Sequence, residues 1–186
     1  MSNKTLSAFI FAITLFYASF SSAATQFQMG VGLVISSDYS DRIDEIYSDY
    51  DKAGGFGWLK LDLDILHPLT DQLYLNPRVS FAANFIHVDG GHLEETYFNT
   101  LILPALGVRY YLNPVYVFAL ANLPLPATGS DHLEFDSDGL GFELGLGTAI
   151  GQNSYLEIAY LDAPFKINNQ KGNYGGGLAV AVGFKF

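Results

Sequence analysis

The sequence predicts an all-β chain folded as an eight-stranded antiparallel up-and-down transmembrane β-barrel. Three observations carry that prediction. Side chains alternate apolar and polar with a period of two, the alternating stretches are joined by connections that are long and short in turn, and the apolar phase is too bulky to fit inside a barrel. The alternation is plainest where Leu59, Leu61, Leu63 and Ile65 interleave with Lys60, Asp62 and Asp64. It recurs where Leu178, Val180, Val182, Phe184 and Phe186 interleave with Ala179, Ala181, Gly183 and Lys185. Successive strand residues point to opposite faces, so each stretch has one apolar face and one small or charged face.

In chain order, Lys4 precedes the apolar run from Leu6 to Phe20 and the small residues Ser21, Ser22, Ala23 and Ala24. That order predicts a secretory signal peptide over residues 1–24, cleaved near Ala24. The run is broken by Ser7, Thr14 and Ser19 and is shorter than the ~20 apolar residues of a spanning helix, which disfavours a retained anchor. Residues 25–186 read as one domain, with no linker or second compositional zone. They contain no cysteine, although an exported chain meets an oxidising compartment. A closed, fully hydrogen-bonded barrel in lipid supplies stability without disulfides. The formal charge of −10 becomes more negative by one when Lys4 leaves, and this excludes a nucleic-acid partner, which needs clustered Lys and Arg.

The strands are expected at 26–37, 55–67, 73–88, 96–112, 115–123, 139–151, 155–162 and 173–186. Residues 68–72, 113–114 and 152–154 are short turns, while 38–54, 89–95, 124–138 and 163–172 are longer and mostly polar. Strict alternation of the two kinds fits an outer-membrane barrel with both termini and the turns in the periplasm and the loops outside. Register is expected to set His67 opposite Leu73, which places Asp62 opposite Arg78. At the third turn Gly151 is expected opposite Tyr155, and at the second Leu112 opposite Val115. Each choice keeps one face apolar.

A secreted, soluble eight-stranded barrel would point the same apolar phase inward. Volume argues against it, because roughly forty large or apolar side chains cannot enter an interior only just wide enough to be filled. The opposite phase is rich in Gly30, Gly32, Gly145, Gly147, Ala179, Ala181 and Gly183, which suits a narrow lumen. It also carries Lys60, Asp62, Asp64, Arg78, Arg109, Glu143, Glu157 and Lys185, four charges of each sign. Paired burial of these ions predicts a cross-linked lumen network, with Asp62 and Arg78 as one pair. Of its two uses, a structural salt-bridge plug is favoured over a selective pore lining. Aromatics near strand ends fit interfacial girdles, with Phe27, Tyr110, Tyr155, Phe184 and Phe186 on the turn side. Phe56, Trp58, Phe85, Phe98, Phe142 and Tyr174 would form the loop-side girdle.

With these features the chain resembles the small outer-membrane β-barrel superfamily, including its OmpA and OmpX types, along residues 25–186. The last strand, Leu178 to Phe186, carries the most specific likeness. Its alternation and terminal Phe186, with Phe184 before it, resemble the signal read by the barrel-assembly machinery. The glycines at 177 and 183 depart from that pattern, which more often has one a few residues earlier. The resemblance implies no catalytic residue.

Three smaller constellations remain. In the acidic cluster of Asp131, Glu134, Asp136 and Asp138, the run Glu134-x-Asp136-x-Asp138-Gly139 resembles the first half of a calcium loop, but the bidentate carboxylate required at the twelfth position from Glu134 is replaced by Gly145. A loose Ca²⁺ or Mg²⁺ site bridging to lipopolysaccharide phosphates is therefore weighed against a plain solvated loop, and the latter is favoured. Ser130, Asp131, His132 and Glu134 hold the residue types of a lipid A-modifying enzyme, yet only sequence proximity unites them. Pro77 and Pro104 each remove a ladder donor inside a strand. Because Pro104 falls opposite Leu123 and beside Pro124 and Pro126, a lateral seam for a lipid or small apolar molecule is weighed against bulges that absorb the prolines.

The resulting expectation is a monomeric, non-enzymatic barrel in the outer membrane of a Gram-negative bacterium, with a structural, surface-interaction or narrow porin-like role. Its expected partners are outer-membrane lipids, lipopolysaccharide and the assembly machinery, and it needs no cofactor. Lateral transport through the Pro104 seam and lipid A modification are the alternatives.

Overall fold

The computed structural model describes residues 25–35, 52–55, 58–90, 93–128, 135–167, 170–173 and 177–186. The expected signal peptide, the acids of 38–51, and Ser130, Asp131, His132 and Glu134 lie outside them. Eight strands form the barrel: β1 (Gln26–Ile35), β3 (Trp58–Pro68), β4 (Leu73–Gly90), β5 (Leu93–Tyr111), β6 (Val115–Asn122), β9 (Gly141–Ala149), β10 (Ser154–Asp162) and β13 (Gly177–Lys185). Each pairs antiparallel with the barrel strand before and after it, and β13 pairs with β1 from Gln28↔Lys185 to Ile35↔Leu178. The barrel is therefore closed and leaves no edge within the wall.

Five short strands extend the wall on the loop side. They are β2 (Lys52–Gly55), β7 (Leu125–Thr128), β8 (Phe135–Ser137), β11 (Pro164–Ile167) and β12 (Gln170–Asn173). β2 pairs with β4 and β7 with β5, while β8, β11 and β12 form a small sheet of their own. Parts of the expected long loops are thus strand. The 89–95 connection in particular is not a long loop, because the β4–β5 ladder runs to Gly90↔Leu93.

Two registers differ from expectation by two residues. At the first turn Pro68 faces Tyr74, so Asp64 rather than Asp62 lies opposite Arg78. The cause is local: Leu69 N and Thr70 N both donate to Leu73 O, and Thr70 Oγ1 accepts from Leu73 N at 3.0 Å. At the third turn Ala149 faces Tyr155, with Ile150 N donating to Ser154 O at 3.1 Å. A two-residue step returns every side chain to the same face, so facing is conserved while partners change. The second turn has the expected register, closed by Leu112 N donating to Val115 O at 2.7 Å.

Burial divides the two faces. Leu33 and Ile35 are 56% and 65% exposed on the outside, whereas Lys60 and Asp62 are 2% and 1% exposed inside. Exposed Leu144, Leu146, Leu178, Val182 and Phe184 continue the outer belt around the wall. Tyr110, Phe98, Phe142 and Phe186 also stand outward, but Trp58 and Tyr155 are fully buried and belong to no girdle.

The lumen contains something the sequence reading did not anticipate. Val34, Trp58, Leu101, Leu103, Leu120, Leu161 and Phe165 pack with small side chains into an apolar cluster. By strand direction Trp58 lies one inward position beyond Lys60 toward the loops on β3 and Leu161 two beyond Glu157 on β10, while Leu120 and Leu103 border the charged residues, facing Glu143 and Ser80 across the ladders.

Candidate functional site

The charged lumen is assembled from one inward phase of five strands. β3 supplies Lys60, Asp62 and Asp64, and β4, β5, β9 and β10 supply Arg78, Arg109, Glu143 and Glu157. Arg78 is the hub. Its Nε donates to Asp64 Oδ1 at 2.8 Å, Nη1 to Glu143 Oε1 at 3.1 Å and Nη2 to Glu157 Oε2 at 2.8 Å. Asp62, the expected partner, is only a distant one at 3.9 Å. Lys60 Nζ reaches Glu143 Oε1 at 2.8 Å and Asp62 Oδ1 at 3.1 Å. Arg109 Nη2 donates to Glu157 Oε1 at 2.8 Å and Nη1 to Gln28 Oε1 at 2.8 Å.

Seven of the eight expected charges meet here, and Lys185 stands apart, half-buried near the turns with Nζ 6.0 Å from the Tyr111 ring centre. Neutral residues that sequence reasoning missed complete the cluster. Asn76 Nδ2 donates to Asp64 Oδ1 at 2.7 Å, Ser80 Oγ to Asp62 Oδ1 at 2.5 Å and Tyr116 OH to Glu157 Oε1 at 2.8 Å. The guanidinium of Arg78 lies 5.0 Å from the Phe118 ring centre, and that of Arg109 lies 4.4 Å from that of Tyr116. Such contacts gain strength where water is excluded.

The lumen glycines make room for these rings. Tyr116 faces Gly147, Phe118 faces Gly145 and Tyr155 faces Gly183 across the ladders. A Cβ on any of the three glycines would run into the facing ring. Between the cluster and the wall lies a cavity of about 10 Å³, lined in part by Lys60, Asp62, Glu143, Glu157 and Ala179. That is about the room one water needs. Ions buried this deeply cost several kcal/mol each unless paired, and every one of the seven is paired. The arrangement ties β3, β4, β5, β9 and β10 together across the lumen.

The other candidate residues are placed elsewhere. At the Pro104 seam, Leu123 N donates to Pro104 O at 3.0 Å. Pairing then resumes above it as Ile102↔Leu125 and Leu101↔Pro126, with a register shift before Thr100↔Thr128. Pro124 is buried beside this stitched edge. Among the described residues the strands bulge rather than part, and the seam is stitched as far as Thr100↔Thr128. Pro77 interrupts the β3–β4 ladder, which skips Ile65 and Leu66 before resuming at His67↔Leu75. Asp138 is held by Lys166 Nζ at 2.7 Å, and Asp136 accepts from Ser137 N at 2.8 Å. The Asp138 hydrogen bond raises the pKa of Lys166 above its ordinary value. Phe184 and Phe186 are exposed on the outer face, and Phe186 N donates to Phe27 O at 2.9 Å.

An edgeless antiparallel barrel with ions inside and aliphatics outside defines the fold of a small outer-membrane β-barrel. Among solved structures the chain is similar to the outer membrane protein OprG from Pseudomonas aeruginosa, at 15% identity and a TM-score of 0.55 over 87% of this chain and 95% of that one. It is also similar to a de novo designed transmembrane β-barrel, at 10% identity and a TM-score of 0.41 over 87% and 95%. The likeness to OprG bears on the fold alone. No protein-family model and no curated protein matches the chain.

Proposed function

We propose that this chain is a non-enzymatic protein of a Gram-negative outer membrane, exported by a signal peptide cut near Ala24. It inserts as a monomer, turns in the periplasm and acidic loops outside, and acts as a structural and surface-interaction scaffold with a closed lumen. The observation that carries this reading is the inverted distribution of side chains. Aliphatics such as Leu33, Ile35, Leu144 and Leu146 stand outward around the wall, while seven charged side chains are buried in the centre. In water that arrangement would expose a continuous apolar belt, whereas acyl chains match it. The outer-membrane protein OprG, with the same fold, supports the location. In this reading Phe184 and Phe186 are the residues presented to the assembly machinery, and lipopolysaccharide is the outer-leaflet neighbour of the loops.

The test is fractionation together with lipid analysis. Expressed protein should enter the outer-membrane fraction, shift in gel mobility on heating and leave lipid A acylation unchanged. A chain that folds in buffer without detergent would overturn the reading, and altered lipid A would overturn its non-enzymatic part.

A further inference from the structure

We infer that the barrier closing this barrel to ions is the apolar plug on the loop side, and that the charge network beneath it is hydrated from the turn side. The inference rests on the lipid-embedded reading above and extends it to permeation. Two sets of side chains carry it.

The first set lies around the network toward the turns. Gln28 Nε2, Asp64 Oδ2, Asn76 Oδ1, Arg109 Nε and Tyr155 OH are buried polar atoms with no hydrogen-bond partner among the described residues. They belong to one layer: Gln28 faces Asp64 across the β1–β3 ladder, Asn76 donates to Asp64, Arg109 donates to Gln28, and Tyr155 OH points at Gly30. The layer contains donors as well as acceptors. Buried polar atoms of this kind are ordinarily satisfied by ordered water, which can use both. The cavity beside Lys60, Asp62, Glu143 and Glu157 is lined mostly by carbon, with Gly32, Ala159, Ala179 and Ala181 among its walls, so hydration is assigned to the turn-side atoms alone.

The second set is the plug. Trp58, Leu103, Leu120, Leu161 and Phe165 are nearly or fully buried and present hydrocarbon or aromatic rings to one another. On their own strands the next polar residues toward the loops are Asn99 on β5 and Asn122 on β6, while Glu143 and Ser80 border the plug across the ladders. On β5 the dry band spans Leu101 and Leu103, roughly 7 Å of strand rise. A hydrophobic constriction of this kind stops ions by excluding the water they travel in. A salt-bridge network can instead re-pair around a passing ion. The cluster has four acids against three bases, so neutralising Asp62 would leave three charges of each sign without opening the plug.

The experiment compares two variants in planar bilayers, with vesicle flotation and heat-shifted gel mobility scored first. Leu120→Ala combined with Leu161→Ala should raise the frequency of discrete conductance events at least tenfold over the unsubstituted protein, and Asp62→Asn should leave it at the unsubstituted level. Conductance from Asp62→Asn, or silence from the apolar pair once inserted, overturns the inference. Failure of the unsubstituted protein to float with vesicles instead overturns the lipid-embedded reading. Should the apolar pair not fold, water-contact NMR on the unsubstituted protein decides. Arg109 Nε–H should show transfer from water, and its isolation from water refutes the hydrated layer.

Discussion

One guanidinium, that of Arg78, joins carboxylates from β3, β9 and β10 and lies against a ring from β6. Replacing it with Met removes three charge-assisted bonds and leaves four buried carboxylates to share two cations, Lys60 and Arg109. We predict a loss of about 3–5 kcal/mol, the usual consequence of breaking a buried pair, read as a lowered guanidinium midpoint in detergent micelles. An unchanged midpoint would mean that water already stands in for Arg78. Gly147→Ala drives a methyl group into the Tyr116 ring and should cost about 1–3 kcal/mol by overpacking, in the same assay. The charged members of this site were legible from alternation, because Lys60, Asp62 and Asp64 share a phase that no lipid-facing strand could carry. Gln28, Asn76 and Ser80 were not, since a neutral polar side chain fits several environments. Tyr155 and Trp58 were misplaced because aromatics near strand ends suit a girdle or a lumen equally. The glycine across the ladder, Gly183 facing Tyr155, is the signal that separates the two.

At the scale of elements, strand identity and order were legible and register only in part. Facing follows from a period of two, but turns decide which residues meet, and side chains such as Thr70 set turn geometry through bonds that alternation does not record. That is why Asp64 rather than Asp62 meets Arg78 while the faces agree. The second turn was read correctly because Asn113 and Pro114 leave little freedom. Asn113 has φ 38°, a left-handed conformation that asparagine tolerates and β-branched residues resist. Asn113→Val should therefore destabilise the barrel by about 1–3 kcal/mol, with Asn113→Gly close to neutral, measured as thermal midpoints in micelles. Equal midpoints for the two would show that this turn bears no strain. The apolar plug was hidden for a related reason. Leu103, Leu120 and Leu161 fall on the lumen phase among small and charged residues, and a leucine on either face of a barrel strand is unremarkable by sequence.

For the whole molecule the decisive relation is between outside and inside, and it was legible from volume before any contact was known. The apolar side chains were too many to fill an eight-stranded interior, so most had to face outward. What volume could not reveal is that the interior also holds hydrocarbon, with Trp58 and Leu161 lying beyond the ions toward the loops. The chain has no cysteine, so a single nitroxide can be attached at Leu146→Cys, on a residue that stands 52% exposed in the outer belt. Power saturation in lipid vesicles is the most direct measurement. The account predicts strong collision with dissolved oxygen and weak collision with a water-soluble nickel chelate. Stronger collision with the nickel chelate than with oxygen would place that belt in water and contradict the account.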